Sequence, residues 1–316
     1  RVPLYDHIGS MMYTTIPAAL VALVLFTAAG YWAVRSYLDL ENLDFVFWVL
    51  GITTSIVAVL YVLNIFNIDL IGAYADTAVV ERAQFFSTLG QKDFNGCFFS
   101  VALPIVFYQF LNAKDTRTAV WTGIPAAFGA LALAVVDSEA LALGIGAAVM
   151  VLVCHKNFTT RHLRRAALIS AAFFGWAAWM HYMRASVYTQ GGTALLAKLG
   201  AWQVALPCMA ASLLLWLVLF VLARKGIAAQ APLYLPGRVI TIAVLAVGAL
   251  AFVLANAMPN LPLPESLHNL LVFNDDWGTY RGVAWRAAFG TWADGSLLRK
   301  IVGIGPGMMH TAVAAW

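Results

Sequence analysis

QVALPCMAASLLLWLVLFVLA, residues 203–223, decides the fold of this chain. The stretch carries no charged side chain over its whole length. About 20 apolar residues are enough for an α-helix to cross the hydrocarbon core of a bilayer. A helix also satisfies its own backbone hydrogen bonds in lipid, so this stretch predicts a transmembrane helix.

Similar apolar runs recur along the chain, and together they predict eight spans. Their predicted bounds are 13–36, 45–67, 94–112, 119–136, 138–154, 166–186, 203–223 and 239–257. The composition agrees, because 62% of the residues are hydrophobic and 11% are charged, where a globular protein has about a quarter charged. The sequence therefore predicts an all-α, polytopic integral membrane protein. Residues 1–257 form its predicted membrane domain and residues 258–316 a loop segment outside the membrane.

Lysine and arginine predict which loops face the cytoplasm. With the loops near Arg35, Lys114, 155–165 and 224–238 inside, about ten of the 19 basic residues lie in roughly forty positions. Both termini and the longer loops, 68–93 and 258–316, are then extracytoplasmic. The segment HKNFTTRHLRR at 155–165 is interpreted as an anchor for anionic membrane lipid. The net charge of +4 follows from such loops and requires no nucleic acid.

No metal, cofactor or disulfide framework is predicted. Cys97, Cys154 and Cys208 lie within or at the ends of apolar runs and are interpreted as small core residues. Histidines, cysteines and carboxylates show no metal-ligand spacing. The one adjacent acidic pair, Asp275–Asp276, is typical of a helix cap. No glycine-rich nucleotide loop precedes a helix.

The last polar interval begins NDDWGTYRGVAWRAAF at Asn274. Its first three residues are typical of a helix N-cap and predict a helix that begins near Tyr280, with Arg281 in the first turn. At helical spacing, Arg281, Trp285, Ala288 and Trp292 fall on one stripe, whereas Arg286 points elsewhere. This is the one long interval that combines caps, charges and glycines after a chain dominated by apolar runs.

Two interpretations of Arg281 remain open from these residues alone. A guanidinium fixed beside free helix amides and tryptophans can bind a phosphate. The same stripe can instead be an amphipathic helix on lipid, with Arg281 extended to the headgroups. The following GIGPG, at 303–307, is a turn of small residues that would let a ligand approach the backbone. A plain loop is the favoured interpretation of that turn.

A second polar segment, ERAQFFSTLGQKDFNG at 81–96, leads into the third predicted span. Its apolar residues recur at helical spacing, which predicts a short interfacial helix that carries Arg82 and ends at Gly90. Asp93 or Asn95 is the expected cap of the following span. From the residues alone, Arg82 is interpreted as the partner of the preceding glutamate or of a lipid headgroup.

These two segments resemble the O-antigen ligase and polymerase superfamily. An arginine followed by a tryptophan on a short helix, then a Gly-x-Gly-Pro turn outside the membrane, is similar to the family's larger loop. DDWGTYRGVAWRAAF resembles the form found in members that make capsules, exopolysaccharides or wall glycopolymers. RAQFFSTLGQKDFNGCF resembles the family's earlier outside loop, although Gln91 stands where many members have Asn and Lys92–Asp93 replaces a more neutral pair. Only these segments carry the resemblance.

The resemblance implies a metal-independent, cofactor-free glycan transferase on the outer face of the bacterial cytoplasmic membrane. Its donor would be a polyprenyl-diphosphate-linked glycan, and its acceptor the hydroxyl of a glycan, lipid or wall polymer. Arg82 and Arg281 would hold the diphosphate and stabilise its departure. Further substrate contacts are expected from Tyr280, Trp285, Gly303, Gly305 and Arg184.

The family also carries a histidine, usually followed by asparagine, after the glycine turn, where it is implicated in activating the acceptor. Here the pair His268–Asn269 precedes Arg281, and the downstream histidine is His310. We expect the family histidine to lie beyond Trp316, with His310 as the alternative catalytic residue. The chain does not begin with methionine and is expected to be a fragment.

The alternative is a multi-span transporter or flippase for an anionic lipid-linked substrate. Its outside arginines would attract the headgroup without chemistry. A transporter would more naturally carry ionisable residues at mid-membrane depth or broken helices in corresponding halves. The predicted spans have almost none of these, and the sequence shows no internal repeat. Ligase and polymerase differ in the acceptor, so the sequence does not separate them.

Overall fold

The computed structural model describes residues 25, 28, 31, 32, 35, 43–72, 85–136, 138–186, 199–227, 229–258, 268, 271–275, 277–297 and 300. Within them the chain is all-α apart from one pair of two-residue strands. The elements in chain order are α1 (Leu43–Ile65), β1 (Phe85–Phe86), β2 (Gly90–Gln91), α2 (Lys92–Asn112), α3 (Thr116–Val135), α4 (Glu139–Cys154), α5 (Thr160–Ser186), α6 (Trp202–Arg224), α7 (Tyr234–Ala257) and α8 (Trp277–Ala293).

The predicted spans from 45–67 onward each correspond to one helix, α1 to α7, whereas 13–36 lies largely outside the described residues. Within the described part, five helices are long and apolar enough to cross a membrane: α1, α2, α3, α6 and α7. Helix α4 is apolar but has 16 residues, and α5 begins with a basic segment. The protein is therefore all-helical with several membrane-spanning candidates. The total of eight spans stays a prediction.

The chain divides into two compact units, Leu40–Thr241 and Arg1–Asp39 with Ile242–Trp316, and α7 runs through the division. In the unit Leu40–Thr241, α1, α2 and α3 pack against one another, α5 packs on α2 and α3, α4 packs on α2, and α6 lies along α5. Tyr61, Phe99 and Leu103 are fully buried at the centre of this bundle. Between helices in a bilayer, such side chains stabilise the fold through close van der Waals packing rather than through removal from water. Helices α6 and α7 instead expose most of their apolar side chains, as a lipid-facing surface does.

The predicted interfacial helix ending at Gly90 is wrong, because the structure has a hairpin there, with β1 antiparallel to β2. Ser87 and Gly90 both adopt positive φ, 58° and 77°, which an α-helix cannot contain. Ser87 is 3% exposed; its N–H donates to Asn64 Oδ1 at 2.7 Å, and its hydroxyl donates to the Val57 carbonyl at 3.0 Å. Asn95 does not cap α2 but donates to the Gly90 carbonyl at 3.4 Å.

The basic segment 155–165, expected as a lipid anchor, is helical from Thr160. Arg165 donates through one guanidinium nitrogen to the carbonyls of Phe110, Leu111 and Ala113 at 3.1, 2.9 and 2.7 Å. Arg161 donates to the carbonyls of Ala113 and Lys114. The last carbonyls of a helix have no partner within it, and a cation there also complements the helix dipole. These two arginines therefore cap α2.

Candidate functional site

The helix that carries Arg281 is α8, and it begins earlier than predicted. Its first residue is Trp277, whose N–H donates to the Asn274 carbonyl at 3.2 Å. The Trp277 ring packs edge to face on Phe273 at 5.3 Å between centroids, which fixes the chain's entry into the helix. The prediction that α8 begins near Tyr280 is wrong, and Arg281 lies in the second turn. Helical side chains lean towards the N-terminus, so this guanidinium extends in the direction of the free amides.

Asn274 and Asp275, which precede α8, fold back along the helix at a glycine. Gly282 is buried, and a Cβ at that position would collide with the carbonyl oxygen of Asn274 and lie 3.0 Å from that of Asp275. The Asp275 carboxylate forms an ion pair with Arg286, one turn further along the same face. In this fold-back, Gly282 leaves room for the backbone of Asn274 and Asp275, and the ion pair between Asp275 and Arg286 stabilises the arrangement.

Arg281 and Arg286 differ in their partners although they lie on the same helix. Both side chains are exposed. The charge of Arg286 is matched by the Asp275 carboxylate. Arg281 has no ion pair or hydrogen bond within the described part of the chain. Among the described residues, a carboxylate therefore matches the charge of Arg286 but not that of Arg281.

The exposed side of α8 is aromatic. Trp285 stacks on Phe289 with centroids 5.7 Å apart and an interplanar angle of 26°, and about half of each side chain is exposed. Trp292 is also exposed; its indole N–H donates to the Lys300 carbonyl at 3.1 Å, and the Lys300 ammonium lies 5.6 Å from its ring. Of the predicted stripe, Arg281, Trp285 and Trp292 are therefore exposed, and Ala288 is half-buried. Aromatic faces of this kind can stack on sugar rings or lie among lipid chains.

Asn256, which the sequence analysis did not single out, ties the end of α7 to the segment before α8. Its side-chain amide donates to the Leu271 carbonyl at 2.7 Å and accepts from the Phe273 N–H at 2.8 Å. This geometry satisfies a backbone donor and a backbone acceptor with one side chain, as a neighbouring strand would. The signal in the sequence is one amide residue in the last turn of an otherwise apolar helix.

Of the expected site residues, Arg281, Trp285 and Arg184 have side chains that the structure describes. Arg82, Gly303, Gly305 and His310 lie outside the described residues. Tyr280 is part of α8, but its side chain is likewise not described. Arg184 lies in the last turn of α5, half-buried, in the unit Leu40–Thr241. The described site is therefore Arg281 and Trp285 on α8, positioned by the fold-back and by Asn256.

The described groups form a cation beside an aromatic surface. Among the described residues, histidines, cysteines and carboxylates form no cluster of three or more that could hold a metal ion. An exposed arginine can neutralise and orient a phosphate through paired N–H donors. Comparison of the chain with protein-family models, curated proteins and solved structures finds no match.

Proposed function

We propose that this chain is a membrane glycan transferase of the O-antigen ligase and polymerase type, acting on a polyprenyl-diphosphate-linked donor. The observation that carries the proposal is the exposed Arg281. Within the described residues it lacks a counter-ion, whereas Arg286 on the same helix has Asp275. A guanidinium left without a partner beside an exposed tryptophan suits a ligand that joins a diphosphate to sugars. The sequence resemblance supplies the class of reaction.

The proposed reaction exchanges one bond to the donor sugar for another. An acceptor hydroxyl oxygen bonds to the anomeric carbon, and the bond from that carbon to the diphosphate oxygen breaks. The electron pair leaves with the diphosphate, whose added negative charge Arg281 stabilises, with Arg82 as the second guanidinium by resemblance. The hydroxyl proton passes to a base, a role that the resemblance gives to a histidine, with His310 as the candidate in this sequence.

The contacts around Arg281 would keep its guanidinium in place during the reaction. The fold-back at Gly282 and the Asn256 hydrogen bonds hold the start of α8. Trp285 lies one turn beyond Arg281 on the exposed surface, where its ring would stack on the donor sugar. Such positioning contributes to catalysis because a guanidinium already in place does not have to move when negative charge develops on the departing diphosphate.

The proposal includes a topology of eight spans, with residues 68–93 and 258–316 on the outer face of the bacterial cytoplasmic membrane. Cysteine labelling tests it in a chain whose native cysteines are replaced by alanine. A thiol reagent that cannot cross the membrane should label Leu297→Cys in intact cells and should not label Lys156→Cys. The opposite pattern, or labelling of both, would contradict the topology.

A transfer assay in proteoliposomes tests the proposed function. The chain is supplied with a polyprenyl-diphosphate-linked oligosaccharide and an acceptor glycan, and new glycosidic bonds are counted by mass spectrometry. Arg281→Ala should reduce the rate about 10²-fold or more, because it removes a group that stabilises the leaving charge. Arg281→Lys should retain part of the rate, because the positive charge remains while the paired N–H donors of the planar guanidinium are lost.

Arg286→Ala is the matched control, because it removes the same charge from the same helix. An exposed ion pair is worth about 0–1 kcal/mol, so the control should stay within about fivefold of the wild-type rate. Equal rates for wild type and Arg281→Ala would refute the assignment of Arg281. Movement of the donor across the bilayer with no new glycosidic bond would replace the transferase with the transporter or flippase.

A further inference from the structure

One end of the helical bundle in the unit Leu40–Thr241 carries most of that unit's positive charge. Three connections meet there, α2 to α3, α4 to α5 and α6 to α7. The Thr160 N–H donates to the Ala231 carbonyl at 3.0 Å, and the Leu233 N–H donates to the Phe158 carbonyl at 2.9 Å. Arg161 links the same region to the end of α2. The three connections therefore form one continuous surface, here called the basic end.

Several cations of the basic end already have partners in the protein. Arg161 and Arg165 cap α2, and Arg238 donates to the Cys154 carbonyl at 3.1 Å. The carboxylate of Asp115 caps α3, accepting from the Thr118 N–H at 2.8 Å and from its hydroxyl at 2.9 Å. Between residues 110 and 118, 154 and 166, and 222 and 241, the sequence has no other acidic side chain. The remaining cations have no carboxylate in these connections to neutralise them.

Arg164 and Arg224 converge on a single aromatic ring. The guanidinium carbon of Arg164, on α5, lies 5.8 Å from the centroid of Phe220, and that of Arg224, the last residue of α6, lies 5.1 Å from it. Trp216 stacks on the same ring, with centroids 5.4 Å apart and an interplanar angle of 18°. Within the described residues neither arginine has an ion pair or hydrogen bond. Two like charges gathered at one ring are stabilised by an anion placed between them.

We propose that Arg164 and Arg224 bind the headgroup phosphate of an anionic membrane lipid at the seam of α5 and α6. Guanidinium groups pair with phosphate oxygens through two parallel N–H donors. Arg224 ends an apolar helix long enough to cross the membrane, so it lies at the depth of the headgroups. The acyl chains would cover the exposed apolar side chains of α6, which begin directly beside the arginines. This site does not depend on the proposed transfer reaction.

Native mass spectrometry of the purified full chain tests this site. The chain is released from micelles that contain equal amounts of phosphatidylglycerol and phosphatidylcholine, and bound lipids are counted. The wild type should retain phosphatidylglycerol over phosphatidylcholine. The double variant Arg164→Gln with Arg224→Gln should lose this preference about tenfold or more, because it removes the two guanidinium groups that would donate charge-assisted hydrogen bonds to the phosphate.

Lys114→Gln with Lys156→Gln is the matched control. It removes the same charge from the basic end, at two exposed lysines that do not converge on a ring. This control should change the preference less than about threefold. Arg164→Lys with Arg224→Lys keeps the charge without the paired guanidinium N–H donors. Its preference for phosphatidylglycerol should lie between those of the wild type and the arginine-to-glutamine variant. Circular dichroism shows that each variant is folded.

Three results would overturn the proposal. The arginine variant could bind phosphatidylglycerol as the wild type does. Both glutamine variants could lose the preference for phosphatidylglycerol equally, which would show that the overall charge of the basic end attracts the lipid without a specific site. Inorganic phosphate at the lipid's concentration could displace it completely, which would identify a soluble phosphate as the preferred ligand.

Discussion

Gly282→Ala should loosen the start of α8, although alanine is normally the better helix former. In an open helix the change stabilises by about 1 kcal/mol. At Gly282, the new methyl group would meet the carbonyl oxygens of Asn274 and Asp275. These are backbone atoms, so they cannot rotate away. Extra volume at a packed site costs about 1–3 kcal/mol, and a collision with backbone atoms belongs at the upper end of that range. After the gain of about 1 kcal/mol from helix propensity, we expect a net loss of about 1–2 kcal/mol in the opening free energy of this segment.

Hydrogen exchange followed by mass spectrometry measures this opening directly. The amides of residues 274–286 should exchange about tenfold faster in Gly282→Ala, since about 1.4 kcal/mol corresponds to a factor of ten. Gly248→Ala in α7 is the control, because a Cβ there meets no atom within 4 Å. The control should exchange at the wild-type rate or more slowly. Slower exchange around residue 282 in Gly282→Ala would refute the fold-back.

Three further predictions concern polar side chains that form hydrogen bonds within the protein. Asn256→Leu removes two hydrogen bonds to the segment before α8, worth about 0.5–1.5 kcal/mol each. The hydrogen-exchange rate of the Phe273 amide should therefore rise, and an unchanged rate would show that Asn256 does not stabilise this segment. Arg165→Met removes the guanidinium donor from the Phe110 and Leu111 carbonyls at the end of α2, whereas the Ala113 carbonyl keeps Arg161. The variant should lower the thermal unfolding midpoint more than Arg117→Met, an exposed residue of the same end; equal midpoints would contradict the cap. His162, in the first turn of α5, accepts from the Thr159 N–H at 3.2 Å through Nδ1, and burial, followed by the charge of Arg161, lowers its pKa below the usual 6.5. Because its folded pKa is depressed, the stability that His162 contributes is complete above about pH 6.5 and declines as the pH falls below that value. The thermal unfolding midpoint should therefore fall when the pH is lowered from about 7.5 to about 5.5, and it should fall by less in His162→Gln than in the wild type. Equal falls would contradict this.

The helices were predictable because lipid imposes one simple rule on sequence. A run of apolar residues must satisfy its backbone internally, so 203–223 predicted α6, which the structure places at Trp202–Arg224. The same rule located α1 to α5 and α7. It does not set the ends of the helices, because those depend on partners far along the chain. Arg165 lies in α5 rather than in a loop because carbonyl oxygens more than fifty residues earlier in the chain accept hydrogen bonds from its guanidinium group.

The hairpin at 85–91 was mistaken for a helix for a related reason. Apolar residues with helical spacing are common to both structures over so short a segment. The decisive features are the positive φ of Ser87 and its hydrogen bonds to Asn64 and Val57 on α1. Neither can be read from local sequence, since both depend on how the segment packs.

The candidate site was predictable in part. Helical spacing placed Arg281 and Trp285 one turn apart, and both lie exposed on α8. The sequence did not show that Arg286 pairs with Asp275 or that Asn256 holds the preceding segment, because these partners are not at helical spacing from one another. Helical spacing separated Arg281 from Arg286 by direction, and the ion pair adds that they differ in their partners among the described residues.

The most direct test of the central claim is the affinity of the purified chain for a polyprenyl diphosphate. Binding is measured by isothermal titration in nanodiscs, with the polyprenyl alcohol as the uncharged comparison. The account predicts that the wild type prefers the diphosphate, that Arg281→Ala loses about tenfold or more of that preference, and that Arg286→Ala keeps it. Equal affinity of the wild type and Arg281→Ala for the diphosphate would contradict the account.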